Sequence, residues 1–395
     1  MKLSREKWVK ASIGEIASIQ YGSSEKMQIE GKGFKTFRMN EIVNGLAFDN
    51  GEMKKTLLSE EDFQAYRLQK GDILFNRTNS YELVGRTGVF NLDGDYMFAS
   101  YLLRLKIDPQ KADSFFVTHL MTSDVFQKQL KTIATKAVGQ ANINPTNLKK
   151  QILPLPPLEE QKQIAGLFQS IETAMEQVDG QEKNLKALWL RLIDEFVSDK
   201  PKFGNLLKGK KLKKVNYADV TEKLMRRIEP VSYGIERIVA GENLESEDLK
   251  IRTWGVVGKD VLGPAFHVLF KPGDILYGSR RTYLKKVSFA DFEGVCANTT
   301  YVIRAKENIL LQDLIKHIML SSRFTQYSIG VSKGSTNPYI NWKDLDDFAF
   351  ELPDLEVQRE IANALDEILK IREQLKQQKA TLKLLKQKLL GVILG

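Results

Sequence analysis

The chain has 395 residues, with 59 Lys and Arg against 50 Asp and Glu and 42% hydrophobic residues, a composition of two or three globular domains that excludes wholesale disorder. A single cysteine, Cys296, and three scattered histidines, His119, His267 and His317, exclude a disulfide framework and any zinc site of ordinary ligand spacing. The first residues lack an apolar signal core and no stretch offers the ~18 uninterrupted apolar residues of a membrane span, so the expectation is a cytoplasmic protein without a membrane partner.

The net charge of +9 and a pI near 9.2 point to a polyanionic partner. The excess is concentrated. Residues 1–150 carry +5 and 201–350 carry +7, whereas 151–200 carry −4 and 351–395 only +1. An anion is therefore expected to be bound twice, with an acidic spacer between.

In chain order, Gly71-Asp-Ile-Leu-Phe reads as a Gly-Asp turn feeding a short apolar strand that exits into Asn76-Arg-Thr-Asn-Ser. A second strand follows at Tyr101-Leu-Leu-Arg-Leu-Lys, then a helix-period stretch around His119-Leu-Met-Thr-Ser, a polar loop at 136–142 and an Ile-Asn pair at 143–144. Leu153-Pro-Leu-Pro-Pro-Leu-Glu-Glu-Gln then opens a helix, because proline ahead of an acidic first turn is a start signal. The same order returns about 200 residues later: Gly273-Asp-Ile-Leu-Tyr, Gly278-Ser-Arg-Arg-Thr, Tyr301-Val-Ile-Arg-Ala-Lys, His317-Ile-Met-Leu-Ser, a polar loop at 332–338, Ile-Asn at 340–341, and Leu352-Pro-Asp-Leu-Glu-Val-Gln. Such a tandem repeat predicts an α+β chain with α/β-type globular blocks at 1–150 and 201–350, followed by long helices at 151–200 and 351–395. Lys200 to Lys214, seven lysines in fifteen residues, reads as a solvated linker.

Within the first helix the apolar positions Ile164, Leu167, Ile171, Ala174, Val178, Leu185, Leu188 and Leu192 alternate by threes and fours, interrupted by Gln181. Adding 197 gives Ile361, Ala364, Ile368, Ile371, Leu375, Leu382, Leu385 and Leu389, with Gln378 at the same interruption. Each helix spans roughly 40 residues, about 60 Å. A stripe this narrow over this length predicts that the two helices pack on each other as an antiparallel coiled coil, the glutamines fixing register.

Two globular blocks with Gly-Asp-Ile-Leu strands, each followed by a Leu-Pro–Glu–Gln helix opening a long arm, strongly resemble the specificity subunit of type I restriction-modification systems. The resemblance extends over essentially the whole chain and is most specific at Leu155-Pro-Pro-Leu-Glu-Glu-Gln-Lys-Gln-Ile-Ala and Leu352-Pro-Asp-Leu-Glu-Val-Gln-Arg-Glu-Ile-Ala. It implies that the blocks are target recognition domains, each reading half of a split double-stranded DNA site. The paired helices would act as a ruler and dock two methyltransferase subunits, and restriction subunits would join them. It further implies that this chain performs no chemistry, with S-adenosylmethionine and ATP bound by the partners.

The residues themselves offer little catalytic machinery. No G-x-x-x-x-G-K-[ST] phosphate loop is present, Asn337-Pro-Tyr lacks the second proline and the glycine-rich strand of an amino-methyltransferase, and Glu52-Met-Lys reads as a surface turn. Base reading in the major groove calls for exposed Arg, Asn or Gln, with Lys, Ser and Thr on phosphates. The first-block candidates are Arg77, Thr78, Asn79 and Ser80 leaving the strand, Lys136, Gln140 and Asn142 in the later loop, and Arg38 and Asn40. Arg280, Arg281, Tyr283, Lys333, Ser335, Thr336 and Asn337 are their counterparts in the second block. A free-standing two-headed DNA-binding or architectural protein is the alternative reading.

Overall fold

A computed structural model describes residues 5–29, 31–137, 139–260 and 263–394. The chain divides into two units, Met1–Gln177 with Gln378–Gly395, and Val178–Gln377. Each contains one globular block and parts of two long helices, α1 (Leu158–Phe196) and α2 (Leu355–Leu394), of 39 and 40 residues. No helix among the described residues is long and apolar enough to cross a membrane.

The first unit is organised by β1 (Ala17–Tyr21), β2 (Ile73–Asn76) and β3 (Leu102–Ile107), with β3 lying antiparallel between the other two. The second unit repeats this with β4 (Thr221–Leu224), β5 (Ile275–Gly278) and β6 (Thr300–Ala305), β6 in the middle. Both faces of these sheets are covered, which explains strands without polar alternation. Ile73 and Phe75 enter one core while Leu74 enters another. Likewise Ile275 and Tyr277 face one core and Leu276 a second.

The Gly-Asp turn has a structural cause. Gly71 and Gly273 adopt φ of +93° and +86°, a region that favours glycine. The following aspartates are buried and accept backbone hydrogen bonds, Asp72 from Gln69 N at 2.9 Å and Asp274 from Lys271 N at 2.8 Å. Asp72 pairs with Arg104, and Asp274 with Arg226 and Arg304. The arginines of the second repeated strand are therefore clasps for the first.

Each block closes on itself before its long helix begins. Val9–Ser12 pairs with Ile152–Leu155 and Lys213–Asn216 with Ala349–Leu352. The lysine-rich stretch runs into the start of the Lys213–Asn216 strand and holds the buried Phe203 and Leu207, so part of it is core rather than linker. At the start of α1 the buried Gln161 accepts from Asp113 N at 3.0 Å and donates to Pro156 O at 2.8 Å. At the start of α2, Gln358 accepts from Leu311 N at 3.1 Å and donates to Ile309 and Pro353 carbonyls, each at 2.9 Å. The repeated glutamine thus ties each long helix to its own block.

The helix seam differs from the predicted one. Inward positions on α1 are Gln161, Ile164, Phe168, Ile171, Met175, Val178, Glu182, Leu185, Trp189, Leu192 and Phe196; on α2 they are Gln358, Ile361, Leu365, Ile368, Arg372, Leu375, Lys379, Leu382, Lys386, Leu389 and Ile393. The offset of 197 and the heptad spacing hold, but every second position moves by one residue. Leu167, Leu188, Ile371 and Leu385 are exposed, as are Ala364, Gln181 and Gln378. The larger neighbours Phe168 and Trp189 turn inward because each meets a buried histidine of its block, His119 at 4.8 Å and His317 at 5.8 Å between ring centroids. Ion pairs, rather than Gln181 and Gln378, make the polar contacts between the helices. In the first unit Glu172 pairs with Lys386, and in the second Glu182 accepts from Arg372 Nε at 3.0 Å and Nη2 at 2.7 Å. Each of these ion pairs lies within one unit.

Candidate nucleic-acid interface

In the first unit the chain leaving β2 is captured at once by the later polar loop. Arg77 N donates to Tyr101 O at 3.1 Å, and Ile143 N donates to Arg77 O at 2.9 Å. Thr78–Asn79 pairs antiparallel with Ala141–Asn142, and Gln140–Asn142 continues as a hairpin with Thr135–Ala137. Two groups of candidates distant in sequence are thus joined in one three-stranded ribbon. Gln140 and Asn40 are exposed, and Arg77, Thr78, Asn79, Ser80 and Asn142 are half-buried. The side chain of Lys136 lies outside the described residues.

Side-chain bonds order this surface. Asn142 donates to Thr78 Oγ1 at 3.1 Å and accepts a long bond from Arg77 Nη2 at 3.4 Å. Asn79 contacts Met39 Sδ at 3.1 Å. Arg38 does not join the ribbon's network: its guanidinium and backbone N–H both bind the buried Glu41 carboxylate. Beneath them burial pushes the Tyr101 phenol up to about 12, with Arg38 acting in the opposite direction.

The second unit builds its head on the same backbone plan with other side chains. Ser279 N donates to Thr299 O and Ile340 N to Ser279 O, the pattern found at Arg77. The counterpart of Arg77 is therefore Ser279, and Arg280 falls at the place of Thr78, as the aligned runs Asn76-Arg-Thr-Asn-Ser and Gly278-Ser-Arg-Arg-Thr predict. Tyr339 bridges both Arg280 and Lys333. Arg281 N donates to Pro338 O at 2.7 Å and its Nε to Asn337 Oδ1 at 3.1 Å.

Between Arg281 and Lys285, both left-handed with φ of 51° and 48°, a tight turn holds Thr282 buried and raises Tyr283 into solvent with 52% of its surface exposed. Two non-glycine residues in this region represent stored backbone strain. Lys333, Ser335, Thr336 and Asn337 are also exposed. Lys333 sits 3.0 Å from Asp344, and that hydrogen bond holds the Asp344 carboxyl below its ordinary range.

Three contributors were not singled out from sequence: Met39, Tyr339 and Tyr21, whose ring lies 5.0 Å from the Arg77 guanidinium carbon. Tyr339 stands beside the candidate loop and was within reach of sequence reasoning. Tyr21 was not, because β3 separates its strand from β2. What the two heads present is donor-rich and amphipathic, suited to acceptors on base edges and phosphates. Among the described residues no group of His, Cys, Asp or Glu is placed to hold a metal ion.

Comparison with known proteins agrees with this duplicated design. The profile of the type I restriction modification DNA specificity domain matches residues 5–187 and again 204–384. A putative type I restriction enzyme MjaX specificity subunit from Methanocaldococcus jannaschii is 27% identical over 367 residues, covering 85% of this chain and 81% of the relative. The StySPI specificity subunit of Salmonella potsdam is 27% identical over 180 residues, covering 45% of this chain and 39% of its own length. The fold resembles the crystal structure of a type I restriction-modification S subunit from M. genitalium, with a TM-score of 0.61, 14% identity and coverage of 100% and 98%. It also resembles a chain from a study of complex assembly and conformational transition of the type I R-M system, with a TM-score of 0.59, 19% identity and coverage of 100% and 99%. With two matched domains that span most of its length, the chain belongs to the type I restriction-modification specificity subunits.

Proposed function

We propose that each unit reads one half of a bipartite double-stranded DNA site, and that the chain is the non-catalytic member of a complex with two methyltransferase subunits and, where restriction occurs, restriction subunits. S-adenosylmethionine and ATP would be bound by those partners, in the cytoplasm, and no cofactor by this chain. The observation that carries this reading is the divergence of the heads on one backbone plan. Arg77, Thr78 and Asn79 stand where Ser279, Arg280 and Arg281 stand in the other unit. Conserved scaffolding with different donors is what two different half-sites require.

The test is to express the chain with its methyltransferase subunit and sequence the methylated sites. Replacing residues 201–350 by the matching block of a relative should change one half of the methylated sequence. Changes in both halves would refute independent reading. Stoichiometric S-adenosylmethionine binding by the chain alone, seen by calorimetry, would refute the non-catalytic role. The alternative, a free-standing two-headed DNA-binding protein, predicts tight binding to one bipartite site without any methyltransferase.

A further inference from the structure

We infer that Tyr21 is a positioning residue for base recognition, its ring holding the Arg77 guanidinium so that the first head reads a guanine. The inference rests on the proposed DNA-reading role of this head. Other arginines of this unit are engaged: Arg104 binds the Arg67 carbonyl, Gln20 and Asp72, and Arg38 binds Glu41. Arg77 is different. No carboxylate pairs with it among the described ion pairs, its Nε is buried with no hydrogen-bond partner, and its bond to Asn142 is long at 3.4 Å.

What holds Arg77 is an aromatic face. Tyr21 ends β1 opposite Leu103, and Leu103 lies opposite Phe75 on its other side. The Tyr21 ring thus reaches across the sheet to the residue that leaves β2, its centroid 5.0 Å from the guanidinium carbon. Gly22 permits the arrangement, because a Cβ there would lie 2.3 Å from Ala99 O. A guanidinium held over a ring and touched by one amide oxygen is restrained in where it can point. The paired O6 and N7 acceptors of guanine reward such restraint with a bidentate contact, and only a base contact makes the restraint sequence-dependent.

The device belongs to one half of the molecule. Ser279 replaces Arg77 in the second head, and carrying the β4–β6 register one residue further puts Met225 in the place of Tyr21. The guanine therefore lies in the half-site that depends on residues 1–150.

The experiment uses the full chain in complex with its methyltransferase subunit and counts methylated sites by sequence. Tyr21→Leu and Arg77→Lys should lose discrimination at the same single G·C pair of that half-site, on the order of 10-fold, with the other half-site unchanged. Tyr21→Phe, which keeps the aromatic face, should retain discrimination. Methylation that falls uniformly with the sequence preference intact would make Arg77 a phosphate contact and overturn the inference. So would loss at different positions for the two variants. Should Tyr21→Leu not fold, Arg77→Lys against Arg77→Ala decides alone: both must relax that one base pair. A wild-type complex that methylates without sequence preference would instead refute the DNA-reading role on which the inference rests.

Discussion

Replacing Arg372 by methionine tests how the helix pair of the second unit is held. Arg372 is only 7% exposed, makes two hydrogen bonds to Glu182 Oε1, and lies 5.4 Å from the Trp189 ring centroid. The first helix carries methionine, Met175, at the corresponding place, so the shape is acceptable at such a position. What is lost is the charge, which leaves the Glu182 carboxylate, 24% exposed, unpaired. Breaking a fully buried pair costs about 3–5 kcal/mol and an exposed one about 0–1 kcal/mol. Partial exposure of one partner puts Arg372→Met at roughly 2 kcal/mol, a fall of about 4–8 °C in the melting of a unit this size. Adding Glu182→Leu should restore stability to within about 1 kcal/mol of the original, because removing both charges removes the desolvation cost of each. Denaturant unfolding followed by circular dichroism on the four chains of the cycle measures the coupling. A double variant as unstable as the single one, or a single variant within about 0.5 kcal/mol of wild type, would show that the pair does not hold the seam.

Other outcomes follow from the same contacts. Burial, helped by Lys386, lowers the His119 pKa to about 3, so the ring is neutral beside Glu172, 3.8 Å away. Between that value and an unfolded value of about 6.5 the unfolded chain binds the extra proton, so this contribution is intact above pH 6.5 and is lost as pH falls. His119→Phe should flatten the pH dependence of unfolding between pH 7 and 5 by up to about 1.4 kcal/mol per unit, and parallel profiles for the two chains would disprove it. Gln358→Leu should leave Leu311 N without its acceptor and cost about 1–3 kcal/mol, seen as faster amide exchange at Leu311 and in the first turn of α2. Arg280→Ala, if Arg280 contacts a base, should cost about 1–3 kcal/mol and relax one position of the second half-site, read from the methylated sequences. A heptad inserted after Val178 with a matching heptad after Gln377 lengthens both helices by about 10 Å, so a ruler should add about three base pairs at 3.4 Å each. An unchanged spacer in an active complex would remove the ruler role.

Local periodicity made the repeat, the Gly-Asp strands and the two long helices legible, because each is written in spacings of two, three or four residues. The seam was legible only in its odd positions. Leu167 beside Phe168 and Leu188 beside Trp189 fit the same alternation of threes and fours, and only the histidines of the globular blocks decide which neighbour turns inward. The polar loops and the strand exits were singled out separately, and the ladder between Thr78–Asn79 and Ala141–Asn142 that joins them is not written in local spacing. The strand-exit runs align between the two heads as their sequences do, Arg77 with Ser279. Tyr21 carried no signal, as a strand intervenes between it and its guanidinium.

The ion pairs of the helix seam also give the chain a means of telling its two helices apart. Their shared heptads, offset by 197, would allow α1 of one molecule to lie along α1 of another as readily as along α2, were apolar spacing all that mattered. The charges break that degeneracy. At the same register two copies of α1 would set Glu182 against Met175 and Glu172 against Trp189, stranding four carboxylates on apolar partners. Two copies of α2 would set Arg372 against Lys379, like charge on like, and Lys386 against Leu369. Only the heterotypic pair sets Arg372 on Glu182 and Lys386 on Glu172, so a chain built by duplication recognises its own other half in preference to the same half of a neighbour.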